Sequence, residues 1–230
     1  PQQQVSFALG RRPGAHAAVD LQRRGVVVSL AAGVMTAPVI GSTPDLWNSQ
    51  PGLLRPPGAL AEDEFLRRCI RCGECMKVCI SGALQPALWQ TGASGLWTPL
   101  LMPRIGYCEY NCTLCGQVCP TGAIRLLSLP EKQKFVIGIA VFDKNRCLPF
   151  ARGTECLVCE EHCPTGEKAI VFDLQQVRVG TELQTLKMPR VIPQRCIGCG
   201  ICETRCPLEG GSAIRVLNEG ESRRRRDLWS

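Results

Sequence analysis

Four times between residues 69 and 206 the chain carries the pattern Cys-x-x-Cys-x-x-x-Cys, each time with a further cysteine upstream. The groups are Cys69, Cys72, Cys75, Cys79; Cys108, Cys112, Cys115, Cys119; Cys147, Cys156, Cys159, Cys163; and Cys196, Cys199, Cys202, Cys206. They account for all 16 cysteines of the 230 residues. A hydrophobic content of 45% excludes a disordered chain, but 17 prolines, 23 glycines and 5% aromatics leave little for a large aliphatic core. The thiols must therefore help to hold the fold. Regular Cys-x-x-Cys neighbours would make strained local disulfides. Structural zinc draws its ligands from two separated Cys-x-x-Cys knuckles, and only 2 histidines are present to share the work.

A cubane of four irons and four sulfides needs four thiolates at its corners. Cys-x-x-Cys-x-x-Cys wraps three of them in one tight loop, while a fourth cysteine, three residues on and followed by proline, reaches a second cluster. The spacing therefore predicts four [4Fe-4S] clusters arranged in pairs. The last group, CIGCGICETRCP, fits in full, whereas the first has Ile80 in place of proline. One extra residue lengthens the first gap of the second group, and eight residues separate Cys147 from Cys156 in the third. Gly73, Gly116, Gly198 and Gly200 are candidate cofactor-binding positions, where small residues let backbone N–H groups approach the sulfurs. Ile70, Leu114, Leu157, Val158, Ile197 and Ile201 are candidates to exclude water. Each group already has four thiols, so His162 reads as a surface histidine.

Short β-branched runs at 135–143, 169–174 and 190–193 alternate with the cysteine loops, and acids at 62–64 mark a helix start before the first. This is an α+β pattern, with two ferredoxin-like units of the bacterial two-cluster type. Three groups are followed by similar segments: Pro120-Thr121-Gly122-Ala123-Ile124, Pro164-Thr165-Gly166 leading to Ala169-Ile170, and Pro207 leading to Ala213-Ile214. The reading divides the chain into a basic segment (1–24), a hydrophobic helix (25–41), a Pro/Gly-rich linker (42–60), the four-cluster domain (61–217) and a basic, solvated tail (218–230). The uncharged run 25–41 would make a helix of roughly 26 Å against a hydrocarbon core of about 30 Å. It reads as a membrane anchor.

From Leu53 to Leu217 the four groups, the PTGAI segment and Ile137-Gly138 followed by Ala140 resemble the ferredoxin-type proteins of the MauM/NapG family. These are accessory electron carriers of methylamine oxidation and periplasmic nitrate reduction. The segment 53–59 is also similar to proteins in which such a module follows a NapH-like membrane portion. A second resemblance is to the four-cluster subunits of molybdenum and tungsten oxidoreductases, where one ferredoxin unit is inserted in another. Carried over, it implies nested pairing: Cys206 joins Cys69, Cys72 and Cys75; Cys79 joins Cys196, Cys199 and Cys202; Cys163 joins Cys108, Cys112 and Cys115; and Cys119 joins Cys147, Cys156 and Cys159. Sequential pairing, group one with two and three with four, stays open beside it.

The MauM/NapG likeness implies export by the twin-arginine route, but Gln22, Val26 and Val27 depart from the family's signal around Arg23-Arg24. An uncleaved anchor with the clusters on the extracytoplasmic face follows from the basic flank, with the cytoplasmic face as the alternative. No phosphate loop, dinucleotide fingerprint or nucleophile elbow is present. The reading is a membrane-associated carrier between a quinone-linked membrane subunit or multihaem cytochrome and a redox enzyme. Its competitors are a subunit of a larger oxidoreductase and a cluster-maturation factor. Arg223 to Arg226 lack interleaved aromatics, so nucleic acid is not an expected partner.

Overall fold

The computed structural model describes residues 53–88, 90–179 and 182–224, with Gly25, Val26 and Val28. Helix α1 (Glu62–Arg68) opens the cysteine-bearing region. Its first turn is acidic and its last turn carries Arg67 and Arg68, as the helix dipole favours, and Phe65 is its buried residue. Each cysteine group then closes in a single helical turn around its third cysteine: α2 (Glu74–Lys77) at Cys75, and later Leu114–Gln117, Val158–Glu161 and Ile201–Thr204 at Cys115, Cys159 and Cys202. Two of these turns start from a left-handed glycine, Gly73 at φ 80° and Gly200 at φ 84°, a conformation that costs a residue with a Cβ.

Strands pair only within sequential halves. In the first half an outer bridge joins Ala59 to Ile124, and an inner antiparallel pair joins β1 (Leu84–Pro86) to β2 (Pro99–Leu101). The second half repeats this plan. Its outer pair is β3 (Ile139–Phe142) with β6 (Ile214–Leu217), and its inner pair is β4 (Ile170–Val179) with β5 (Glu182–Val191), all antiparallel. A nested arrangement would bring the first outer strand against the last. The structure closes each half on itself instead.

The hairpin β4–β5 runs ten residues on each side, well beyond the strand read at 169–174. Leu186 and Met188 bury one face of it, while Leu174 and Leu183 stand exposed on the other. The alternation suits a ribbon covered on one side only.

A single core spans both halves, built from Leu54, Phe65, Ile124, Ile137, Ile170 and Ile214 together with several cysteines. The halves also lock through the backbone. The Cys108 N–H donates to the Cys199 carbonyl at 2.7 Å, and the Ile137 N–H to the Ile197 carbonyl at 2.9 Å. Arg104 reaches from the first half to the carbonyls of Glu203, Cys206, Leu208 and Gly210 in the second.

Two boundaries read from the sequence are corrected. Residues 53–59, taken as linker, are buried: the Leu101 N–H donates to the Leu54 carbonyl at 2.9 Å and the Arg125 N–H to the Gly58 carbonyl at 2.8 Å. Residues 218–223, taken as solvated tail, include buried Asn218, Glu221, Ser222 and Arg223. Arg223 ion-pairs with Glu62 at 2.5 Å and with Glu221 at 2.7 Å, and Glu62 also holds the buried Arg55 at 2.5 Å. Residues 221–223 are thus tied to α1 by buried charge, which solvation alone cannot supply. The hydrophobic helix 25–41 lies outside the described residues except for Gly25, Val26 and Val28, which are helical. Among the described residues no helix is long and apolar enough to cross a membrane.

Candidate metal centres

The sixteen thiols surround four cavities, with four thiols at each. Site I is walled by Cys69, Cys72, Cys75 and Cys119. Site II takes Cys79, Cys108, Cys112 and Cys115. Site III takes Cys147, Cys156, Cys159 and Cys206, and site IV takes Cys163, Cys196, Cys199 and Cys202. Each site thus borrows the fourth cysteine of its neighbour in the same half. Cys119 belongs with Cys69, and Cys206 with Cys147, so the nested pairing is overturned and the sequential one holds. The reason is mechanical: each fourth cysteine leaves its helical turn pointing across the half that the outer strand pair closes.

The space between protein atoms at sites I, II, III and IV is ≈ 350, 370, 270 and 350 Å³, part of it open to solvent. Among the described residues no three His, Cys, Asp or Glu side chains converge on a point suited to a single ion. The thiols stand apart around a cavity, as a polynuclear cluster requires and a zinc site does not.

Burial makes these thiols poor acids on their own. It pushes Cys75, Cys115, Cys159 and Cys199 up to about 12 and Cys108 and Cys147 up to about 11, with neighbouring thiols of the same site adding to the effect. Four anionic sulfurs in such a cavity need compensation, and iron supplies it.

The recurring segments after the cysteine groups have a physical role. Thr121 and Thr165 place hydroxyls 3.8 and 3.2 Å from the Cys119 and Cys163 sulfurs, and Ser81 does the same for Cys79 at 3.6 Å. Backbone N–H groups of Ile124 and Ala213 point at the sulfurs of Cys119 and Cys206 at 3.4 Å, and that of Ala140 at Cys196 at 3.5 Å. Hydrogen bonds of this kind stabilise thiolate ligands and adjust the potential of a bound cluster. The four thiols, the cavity and these donors fit [4Fe-4S] clusters, which supply one-electron redox chemistry when bound.

Of the four glycines singled out in the sequence, Gly116 donates its N–H to the Thr113 carbonyl rather than to a sulfur, and Gly198 lies two residues past Cys196 at φ 68°. Gly198 also lies against Gly138, where a Cβ would come within 2.4 Å of the Gly138 carbonyl oxygen. That contact explains Ile137-Gly138 as a partner of the site IV loop. Gly73 and Gly200 serve the turns described above. Ile197 and Ile201 are buried as expected, but Ile70 is 62% exposed and shields site I on one side at most. His162 is exposed, with Nδ1 3.0 Å from the Val158 carbonyl oxygen.

Sequence reasoning missed Lys132. Its side chain is buried, and its ammonium donates to the carbonyls of Glu109 and Tyr110, close to Cys108. A lone lysine in a short helix after the second group carries no motif that marks it.

Residues 189–209 match the model of the 4Fe-4S binding domain. The methylamine utilization ferredoxin-type protein MauM of Methylorubrum extorquens is 38% identical over 167 residues, which cover 71% of this chain and 72% of the relative. MauM of Paracoccus denitrificans is 36% identical over 82% of this chain and 78% of its own length. The ferredoxin-type protein NapG of Escherichia coli is 38% identical over 71% of this chain and 70% of its own. The chain belongs to the MauM/NapG family of ferredoxin-type proteins. Membership agrees with the cavity chemistry: an iron–sulfur protein with an electron-transfer role. For a MauM/NapG protein the spatial order of the sites matters, because electrons pass between neighbouring centres. Sites I and II share Cys79 and Cys119 by exchange, sites III and IV share Cys163 and Cys206, and the Cys108 to Cys199 hydrogen bond puts II beside IV.

Proposed function

We propose that this chain is an electron relay with four [4Fe-4S] clusters strung in the order I, II, IV, III. The observation that carries this reading is the junction at Cys108 and Cys199, which makes one continuous row out of two pairs. Its two ends differ: Cys72 at site I is the exposed thiol among the sixteen, whereas Cys147, Cys159 and Cys206 of site III are buried. All sixteen cysteines serve as iron ligands, four at each site. The hydroxyls of Ser81, Thr121 and Thr165 and the backbone donors hold the sulfurs in place.

The relay works at a membrane, anchored through the apolar run 25–41 with the clusters on the extracytoplasmic face. It passes electrons between a quinone- or haem-linked partner and a redox enzyme. The names of its MauM and NapG relatives, which speak of methylamine utilization and of ferredoxin-type carriers, support this role. Reductive titration of the loaded full chain, followed by EPR, tests the relay: four reversible one-electron steps are expected, and sites that cannot be cycled contradict it. Protease treatment of right-side-out cells tests the topology. Cleavage of the cluster domain is expected, and its protection contradicts the extracytoplasmic placement.

A further inference from the structure

Among the described residues three cationic side chains are buried: Arg55, Arg223 and Lys132. The two arginines are held by carboxylates, Arg55 by Glu62 and Arg223 by Glu62 and Glu221. Lys132 is held differently. Its ammonium donates to the carbonyl oxygen of Tyr110 at 2.9 Å and to that of Glu109, and lies 5.6 Å from the centre of the Tyr110 ring. Those carbonyls belong to the two residues that follow Cys108, and the Cys108 sulfur lies 4.0 Å from the Glu109 carbonyl oxygen that the ammonium touches. The capping box of Ser128 and Glu131 and Pro130 fix the helix Leu129–Lys134 that aims it there.

A cation kept from water costs free energy unless negative charge faces it. The carbonyls and ring supply only partial charges, and one of those carbonyls lies between the ammonium and the sulfur of Cys108, a ligand of site II. Other sites receive their cations less directly. Lys168 is half-buried and donates to the carbonyls of Glu160, Glu161 and Cys163, and Arg104 donates to carbonyls from an exposed position. Among the described residues, Lys132 is the buried cation held by carbonyls of a cysteine loop rather than by a carboxylate.

We propose that Lys132 is a positioning residue that makes site II the most oxidising of the four, so that an electron entering the row rests at the junction between the halves. This rests on the four-cluster reading above. Reduction adds one electron, supplied in the test by dithionite, and no bond is made or broken. The added negative charge lies beside a fixed ammonium in a low-dielectric setting, where the attraction is large.

The test is an EPR-monitored dithionite titration of the loaded full chain. Lys132→Met, similar in length but uncharged, is expected to make one reduction step at least tenfold less favourable, which is 59 mV for one electron. The other three steps should move less, and Lys132→Arg should restore the wild-type midpoint. Unmoved steps, or four steps moved equally, overturn the proposal. Cys112→Ser in the otherwise native chain identifies the site II step without altering Lys132. That step must be the highest of the four, and any lower rank overturns the proposal even if Lys132→Met fails to load. A wild-type chain that shows no four steps would instead refute the relay itself.

Discussion

The backbone N–H of Cys108 donates to the carbonyl of Cys199 at 2.7 Å, across 91 residues and between two separately closed halves. Both residues are ligand positions, so one hydrogen bond fixes the approach of site II to site IV. Apolar packing secures it: Ile197, Cys199 and Ile201 are buried against Tyr107, Cys108 and Tyr110.

The junction depends on Gly198, which has φ 68° and a backbone contact with Gly138. Gly198→Ala should cost about 1–3 kcal/mol from the strained backbone, before the clash is counted. Iron analysis should show site IV depleted while the other sites still load. A variant with full iron content would contradict the close backbone approach.

Glu62 carries the buried charge network. Burial alone would raise its carboxyl, but Arg55 and Arg223 hold it below the ordinary glutamate value. The folded-state value is depressed, so this contribution to stability is present above the unfolded value and is lost as pH falls through the folded one. Glu62→Gln should leave the buried Arg55 without a counter-charge and take from Arg223 one of its two carboxylates, at about 3–5 kcal/mol. Denaturant titration at neutral pH should show this loss, and the variant's stability should decline less steeply below about pH 4.5 than the native chain's.

Iron removal should undo much of the fold. Thiols of every site lie in the core or against it, and burial pushes Cys75, Cys115, Cys159 and Cys199, one at each site, up to about 12, which keeps these four protonated at neutral pH without metal. Each loading event must therefore release protons. Chelation under reducing conditions should lower the far-UV circular dichroism signal, and reconstitution with iron and sulfide should acidify an unbuffered solution. Unchanged dichroism after iron loss would contradict the structural role of the sites.

Site I should be lost first under mild oxidation. Cys72 is exposed, and Ile70 in the same wall of the site is 62% exposed. Mass spectrometry after limited oxidation should find Cys72 modified before any cysteine of site IV. The reverse order would contradict the gradient of exposure along the row.

Much of this was legible in the sequence, because three ligands of each site lie within one short loop whose spacing is dictated by cluster geometry. Which neighbour receives the fourth cysteine was not legible. Cys119 and Cys206 leave their loops in the same way, and only the pairing of Ala59 with Ile124 and of β3 with β6 decides their destinations. Charged residues misled for a related reason: Arg223 finds Glu62 across 161 residues, so a run of arginines that reads as solvated begins inside the core. The hairpin β4–β5 hid because Gln175, Gln176, Gln184 and Thr185 give its outer part no strand-like apolar alternation.

Iron and acid-labile sulfide per chain, measured on the intact protein as isolated without air, test the four-site account most directly. Four quartets of thiols require about sixteen of each, in equal amounts. About eight of each, or iron without sulfide, would contradict it.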